Sequence, residues 1–284
     1  MNFFLRQVLR VIRPGFKILV LKPKVKFLRR YGYGLPPHPE LNTIINRNRE
    51  TYKSYLQKAL KYSDQVATIR NSSAENDRMK PVWDNGYFPG LDTICIYMML
   101  SELKPANYVE IGSGNSSKVV HKAKQEQGLK TTIVSIDPSP KDEIKEIADV
   151  LIQEPFENID TSLLYGLYEN DVIFIDNANR ILPNSDAMVF FMEILPRLHK
   201  GVVVQLHDIY LPYDYPEFML KRFYSGQYAL AMYLLSNPER YEILLPNFFI
   251  HNDKELSAII APVWEKPNLK NVERHGGSFW FRIK

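Results

Sequence analysis

Four stretches of this 284-residue sequence place acids, glycines or a histidine at the ends of short apolar runs. In "NYVEIGSGNSSKVV", Asn107 to Val120, Glu110 precedes Gly112-Ser113-Gly114, and Ser116-Ser117 follow. "IVSIDPSP" ends its apolar run at Asp137-Pro138, "DVIFID" at Asp176, and "GVVVQLHD" at His207-Asp208. Glycines so closely spaced permit a tight turn and let a ligand lie against bare backbone. Ser116 and Ser117 are good capping residues, and the free amides of a helix start favour a negative group. His207 has a natural pKa suited to proton transfer near neutrality. The bland counterparts are a turn that serves only itself, an aspartate that caps "NANR", and a His207-Asp208 pair that braces the next loop.

The elements that must carry these residues alternate. "YVEI", "TTIVSID", "DVLIQ", "DVIFID", "GVVVQLHD", "YEILLP" and "SFWFRI" read as seven strands. Between them, "SSKVVHKAKQEQG" reads as a helix closed by Gly128, followed by "KDEIKEIA", "DAMVFFMEILPRLHK" with an interruption near Pro196, and "QYALAMYLLS". Strands that are apolar along their whole length and alternate with helices predict an α/β fold with a mostly parallel sheet covered on both faces. Ligands of such sheets bind outside the carboxyl ends of the strands, where all four stretches fall. Upstream, residues 41–70 have helical character, "RNSSAENDRMK" is a solvated loop, and "LDTICIYMMLSEL" is a strongly apolar helix.

The net charge of +4 conceals an asymmetry. Residues 1–39 hold nine Lys and Arg and no acid, which leaves the remainder at about −5. In "MNFFLRQVLRVIRPG" the spacing puts Phe4, Val8, Val11 and Ile12 on one helical face and Arg6, Arg10 and Arg13 on the other, before Pro14-Gly15 ends the helix. Such a helix suits an anionic membrane surface, so residues 1–30 are a candidate peripheral membrane contact; docking on the chain's own body or on a partner subunit is the alternative. No apolar run approaches a transmembrane length. Nucleic acid is not an expected partner, because the basic residues are confined to the arm. The single cysteine, Cys95, excludes an intrachain disulfide and fits a reducing compartment, so the expected location is cytoplasmic. The expected organisation is a basic arm and Pro-rich linker at 1–39, a helical cap region at 40–104, and the α/β domain at 105–284.

Two cofactor classes use a glycine turn opening a helix. Dinucleotides want a third glycine, where this chain has Ser117, and Glu110 would repel a pyrophosphate. S-adenosylmethionine, with a sulfonium and an amino group, suits an acid at that strand end. "VEIGSGNSS" resembles the first motif of class I S-adenosylmethionine-dependent methyltransferases, Glu/Asp-x-Gly-x-Gly-x-Gly/Ser. "IVSIDPSP" and "DVIFIDNANR" resemble their second and fourth motifs, and the likeness runs in order over roughly residues 82–284, closest to a bacterial branch acting on oxygens of small molecules or glycans. The resemblance implies a Rossmann-like doubly wound seven-stranded sheet with its last strand antiparallel, and S-adenosylmethionine held by Glu110, Gly112, Ser113, Gly114, Ser116, Asp137, Pro138 and Asp176. Asp137 would take the ribose hydroxyls, since a carboxylate can accept two such hydrogen bonds.

The resemblance also implies a catalytic group of Asp176, His207 and Asp208. Relatives with oxygen acceptors often hold a divalent cation between carboxylates at these strand ends, so the same three residues are candidate ligands for magnesium. His207 as general base and His207 as a structural brace are the other two roles. Where the branch reads Phe-Ile-Asp-Ser-Ser-His, this chain reads Phe174-Ile175-Asp176-Asn177-Ala178-Asn179. Asn179 cannot act as a base, which keeps open a cofactor-binding protein that has lost catalysis; a nicotinamide-dependent oxidoreductase is the more distant alternative. The aromatic loop "IYLPYDYPEFMLKRFYSGQY" is the expected acceptor wall, with "FPGLD", Phe88 to Asp92, closing the cofactor from the other side. The expected acceptor is a small molecule or glycan, and a homo-oligomer is left open.

Overall fold

The computed structural model describes residues 27–284, so the expected arm helix lies outside the described residues. A seven-stranded sheet organises the chain, in the order β3-β2-β1-β4-β5-β7-β6. Its strands are β1 (Asn107–Ile111), β2 (Thr132–Ile136), β3 (Val150–Ile152), β4 (Val172–Ile175), β5 (Val203–Leu206), β6 (Tyr241–Pro246) and β7 (Phe279–Ile283). The first five pair in parallel, and β7 runs antiparallel to both β5 and β6. This is the Rossmann-like arrangement expected from the sequence. Every residue of β4 and β5 is buried, as strands covered on both faces must be.

The order reverses at β1, whose two neighbours are β2 on one side and β4 on the other. Such a reversal opens a crevice at the strand ends. Helix α1 (Pro39–Asn46), α2 (Arg49–Lys61), α3 (Ser63–Ala67) and α4 (Gly90–Leu103) precede the sheet and share one hydrophobic core with it. Residues Gly90 to Ser101 of α4 are all buried, so the run "LDTICIYMML" is apolar because it has no solvent face. After β1 comes α5 (Asn115–Glu126), then α6 (Asp142–Ile147) after β2. Gly128 follows α5 with φ +61°, the left-handed closure expected there.

The segment before Pro196 is less regular than a simple interrupted helix. Ser185 caps α7 (Asp186–Val189), which then widens into a π turn over Phe190–Ile194 and a tight turn over Leu195–Arg197. Beyond β5 lie α8 (Glu217–Leu220) and α9 (Gly226–Ser236). Two helices between β6 and β7 go beyond the sequence reading: α10 (Asn247–Asn252) and α11 (Lys254–Trp264). Asp253 starts α11 by accepting the amides of Glu255 and Leu256, and Arg49 of α2 grips the same carboxylate at 2.7 and 2.9 Å. Among the described residues no helix is long and apolar enough to cross a membrane.

Candidate active site

The glycine turn sits at the carboxyl end of β1. Gly112 has φ +84°, and a Cβ placed there would lie 2.7 Å from Nδ2 of Asn177, in the loop after β4. Only glycine satisfies both the conformation and the close approach. Ser113 turns toward β2: its amide and hydroxyl both donate to Oδ2 of Asp137, at 3.0 and 2.8 Å. The amide of Ser139 donates to Oδ1 of Asp137 at 2.8 Å. The carboxylate is thus fixed in orientation, and each oxygen keeps lone-pair capacity for an outside hydroxyl. Pro138 is exposed on the rim.

Glu110 behaves differently from the expectation of a direct ligand contact. It is fully buried, and its two oxygens accept the hydroxyls of Ser116 and Ser117. Burial pushes its carboxyl up to about 8; the serine hydrogen bonds oppose this, and the charges of Asp176 and Asp137 add to it. Ser117 also accepts the amide of Gly114 at 3.1 Å. Glu110 and Ser116 therefore brace the turn and the start of α5 from beneath, while Gly112, Ser113 and Gly114 form its outer surface.

Asp176 and His207 follow neighbouring strands, β4 and β5. The amide of Asp176 donates to Ile111 and that of His207 to Ile175, so the parallel ladder runs on to set the two residues side by side. Nδ1 of His207 lies 3.0 Å from Asp176 and 3.6 Å from Asp208, and Nε2 lies 3.2 Å from Asp92. Phe88 stacks on the imidazole and Phe174 meets it edge-on. Burial alone would lower the imidazole, but the charges of Asp176 and Asp208 and hydrogen bonds to Asp176 and Asp92 outweigh it and hold His207 well above its ordinary value. Asp208 is pushed up to about 6 by burial, against the pull of His207. Its backbone is left-handed, φ +58°, a conformation that aspartate tolerates better than most residues.

This geometry revises two roles. The raised pKa of His207 favours its protonated form, which weighs toward a bracing or charge-balancing role over that of a general base. Both of its ring nitrogens face carboxylates, Nδ1 toward Asp176 and Asp208 and Nε2 toward Asp92. Among the described residues no group of three or more His, Cys, Asp or Glu is arranged to hold a metal ion. Magnesium takes oxygen ligands, so His207 does not suit it; in this structure His207 stands at the centre of the carboxylates of Asp92, Asp176 and Asp208.

The partner that sequence reasoning missed in this role is Asp92. It sits in the first turn of α4 with no exposure, accepting Asn247 at 2.7 Å and the amides of Gly277 and Ser278 at 2.7 and 3.0 Å. Burial would raise its carboxyl, but His207, Asn247 and Gly277 hold it below the ordinary range. "FPGLD" therefore meets His207 through Phe88 and Asp92. The available signal was an acid inside an otherwise apolar helical run. Asn179 serves the fold through its carbonyl, which accepts the amides of Ser225 and Gly226 at the start of α9. Gly226 is required there, because a Cβ would fall 1.8 Å from the carbonyl oxygen of Ala178.

The aromatic loop is mainly self-packed. Tyr210 and Tyr215 are buried, the Tyr215 hydroxyl accepts the Gln227 amide at 2.9 Å, and Tyr228 donates to Asp214 at 2.9 Å. Phe218 and Phe223 remain exposed.

Residues 109–209 match the model of a family described as a methyltransferase domain. The matched stretch runs from within β1 to just past His207-Asp208, so it contains the glycine turn, Asp137 and Asp176, while Asp92, Asn247 and Gly277 reach the site from flanking elements. No curated protein matches the chain. Among solved structures, a methyltransferase of Podospora anserina with S-adenosylhomocysteine bound shares 18% identity over 89% of this chain and 100% of its own, with a TM-score of 0.44. An O-methyltransferase of Bacillus cereus, also with S-adenosylhomocysteine, shares 15% identity over 81% and 91%, with a TM-score of 0.40. A branched-chain polyamine synthase variant of Thermus thermophilus shares 11% identity over 80% and 63%, with a TM-score of 0.41.

Proposed function

We propose that this chain is an S-adenosylmethionine-dependent methyltransferase that acts on an oxygen of a small molecule or glycan. The observation that carries the reading is the bare Gly112-Ser113-Gly114 turn at the sheet's reversal point, flanked by Asp137 on one side and Asp176 with Asp208 on the other. The residues fit the donor. Asp137 retains capacity for two hydroxyls, and Gly112 and Gly114 leave the backbone accessible.

When bound, S-adenosylmethionine supplies an electrophilic methyl group on sulfur. The chain's own task is alignment and proton removal. A carboxyl at about 6 is largely ionised near neutral pH, so Asp208 can take the proton of an acceptor hydroxyl. The His207 cation steadies Asp208 and Asp176, and Asp92 anchors His207 from behind. An acceptor with a proton to lose suits this arrangement, which is the support for oxygen. The test is transfer of a labelled methyl group to polyol, phenol and amine acceptors by wild type and Asp208→Asn. Transfer to hydroxyls that falls about 10²-fold or more in the variant supports the reading. Transfer only to amines, or transfer indifferent to the substitution, refutes the oxygen-directed part.

A further inference from the structure

The described chain begins beside an apolar face. The ring of Phe27 meets Phe223 edge-on at 5.0 Å. Leu28 lines a cavity of about 340 Å³ with Leu211, Pro212, Ala231, Met232 and Leu235. Leu28 and Met232 are 70% and 68% exposed, and Phe27, Phe218, Phe223 and Leu235 are exposed as well. Joined apolar residues on a surface mark an interaction site. The frame of this one is cationic. Arg30 lines the cavity, Arg222 stands 5.7 Å from the Phe218 ring centroid, and Arg29 and Lys221 share the single carboxylate of Glu217.

The strap that carries Phe27 and Leu28 is fastened to the loop after β5. Buried Asp214 accepts the amides of Arg30 and Tyr31 at 2.5 and 3.0 Å, and the amide of His38 donates to Pro212 at 2.9 Å. The same loop closes onto the end of β4, where Arg180 donates to the Arg222 carbonyl at 2.7 Å. The face therefore adjoins the side of the sheet that carries Asp176 and Asp208. From it depart residues 1–26, with seven Lys and Arg and no acid.

We propose that this face docks on an anionic lipid bilayer. Cations around protruding Phe and Leu side chains match a headgroup layer over hydrocarbon. A second copy of the chain would set like charges against each other. The arm, folded back on the face, would bring its own cations to an already cationic rim. On the methyl-transfer reading, a further consequence is an acceptor borne by the membrane.

The test is co-sedimentation of the full chain with vesicles of phosphatidylcholine alone or mixed with phosphatidylglycerol. Two variants accompany it: Leu28→Asp with Met232→Asp, and Arg6→Gln with Arg10→Gln and Arg13→Gln. Thermal melting of each confirms folding, and the first pair is exposed enough to be tolerated. Binding to the anionic vesicles about tenfold tighter than to the neutral ones, weakened by salt and lowered about tenfold by each variant, is the expected result. Absence of binding overturns the proposal, whether sedimentation shows a monomer or a dimer with the face covered. Binding that persists in the Leu28/Met232 variant also overturns it, since the arm alone would then be responsible. None of these outcomes depends on methyl transfer, so failure here leaves that reading standing.

Discussion

The two halves of the sheet's carboxyl edge treat buried acids in opposite ways. Beside β1, Glu110 meets only neutral donors, Ser116 and Ser117, and burial drives its carboxyl up to about 8. Beside β5, Asp92 is just as buried, but it faces the His207 cation and is held below its ordinary value. Hydroxyl hydrogen bonds alone do not offset the cost of burying a carboxylate, whereas a cation with further donors does. In the first half the buried acid is thus uncharged support beneath the glycine turn, and the Asp137 carboxylate at its rim is left to meet a ligand. The second is a charged cluster in which Asp208 is pushed up to about 6.

Substitutions can break this contrast, and the largest effect is expected on the charged side. Asp92→Ala leaves a buried cation short of one carboxylate and strands the amides of Gly277 and Ser278. It should cost about 3–5 kcal/mol in urea denaturation. A cost below about 1 kcal/mol would mean that the cluster is not ionised as described.

Asp208→Asn should lower turnover about 10²-fold while leaving S-adenosylhomocysteine affinity within a few-fold. Wild-type rate should rise as pH passes through about 6, and the variant should lack that rise. A retained rise would assign the titration elsewhere.

On the neutral side, Glu110→Gln should change the pH dependence of stability. The folded-state pKa of about 8 lies above the ordinary 4.5, so the native protein binds this proton more tightly than the unfolded chain. The contribution is fullest below 4.5 and is lost progressively as pH rises toward about 8. Melting temperatures across that window should fall more steeply for wild type than for Glu110→Gln; parallel curves would show that Glu110 ionises normally. The smallest effect is expected from Ser113→Ala, which removes one hydroxyl from Asp137 and should cost about 1 kcal/mol, read by denaturation.

Much of this edge was legible in the sequence because strands covered on both faces are written as unbroken apolar runs. "YVEI", "DVIFID" and "GVVVQLHD" each placed a polar residue at a strand end, and the ladder set those ends side by side. What escaped was the role of the partners. Asp92 lies 115 residues before His207, and no local spacing announces a pair that only the packing of α4 against the sheet creates. The charge on His207 was hidden for the same reason, since a histidine reads as base, ligand or brace until its neighbours are known. The helices α10 and α11 were left unassigned despite a capping Asp253 and a recurring Leu256, Ile260, Val263 face; Pro262 lies inside α11.

The most direct test of the account is calorimetric titration of the full chain with S-adenosylhomocysteine, with and without magnesium, beside Gly112→Asp. The account predicts micromolar binding indifferent to magnesium. It also predicts loss of that binding in the variant, whose side chain would require a positive φ and collide with Asn177. Absence of binding by the intact chain would contradict the methyltransferase reading, and binding retained by Gly112→Asp would contradict the placement of the ligand on this turn.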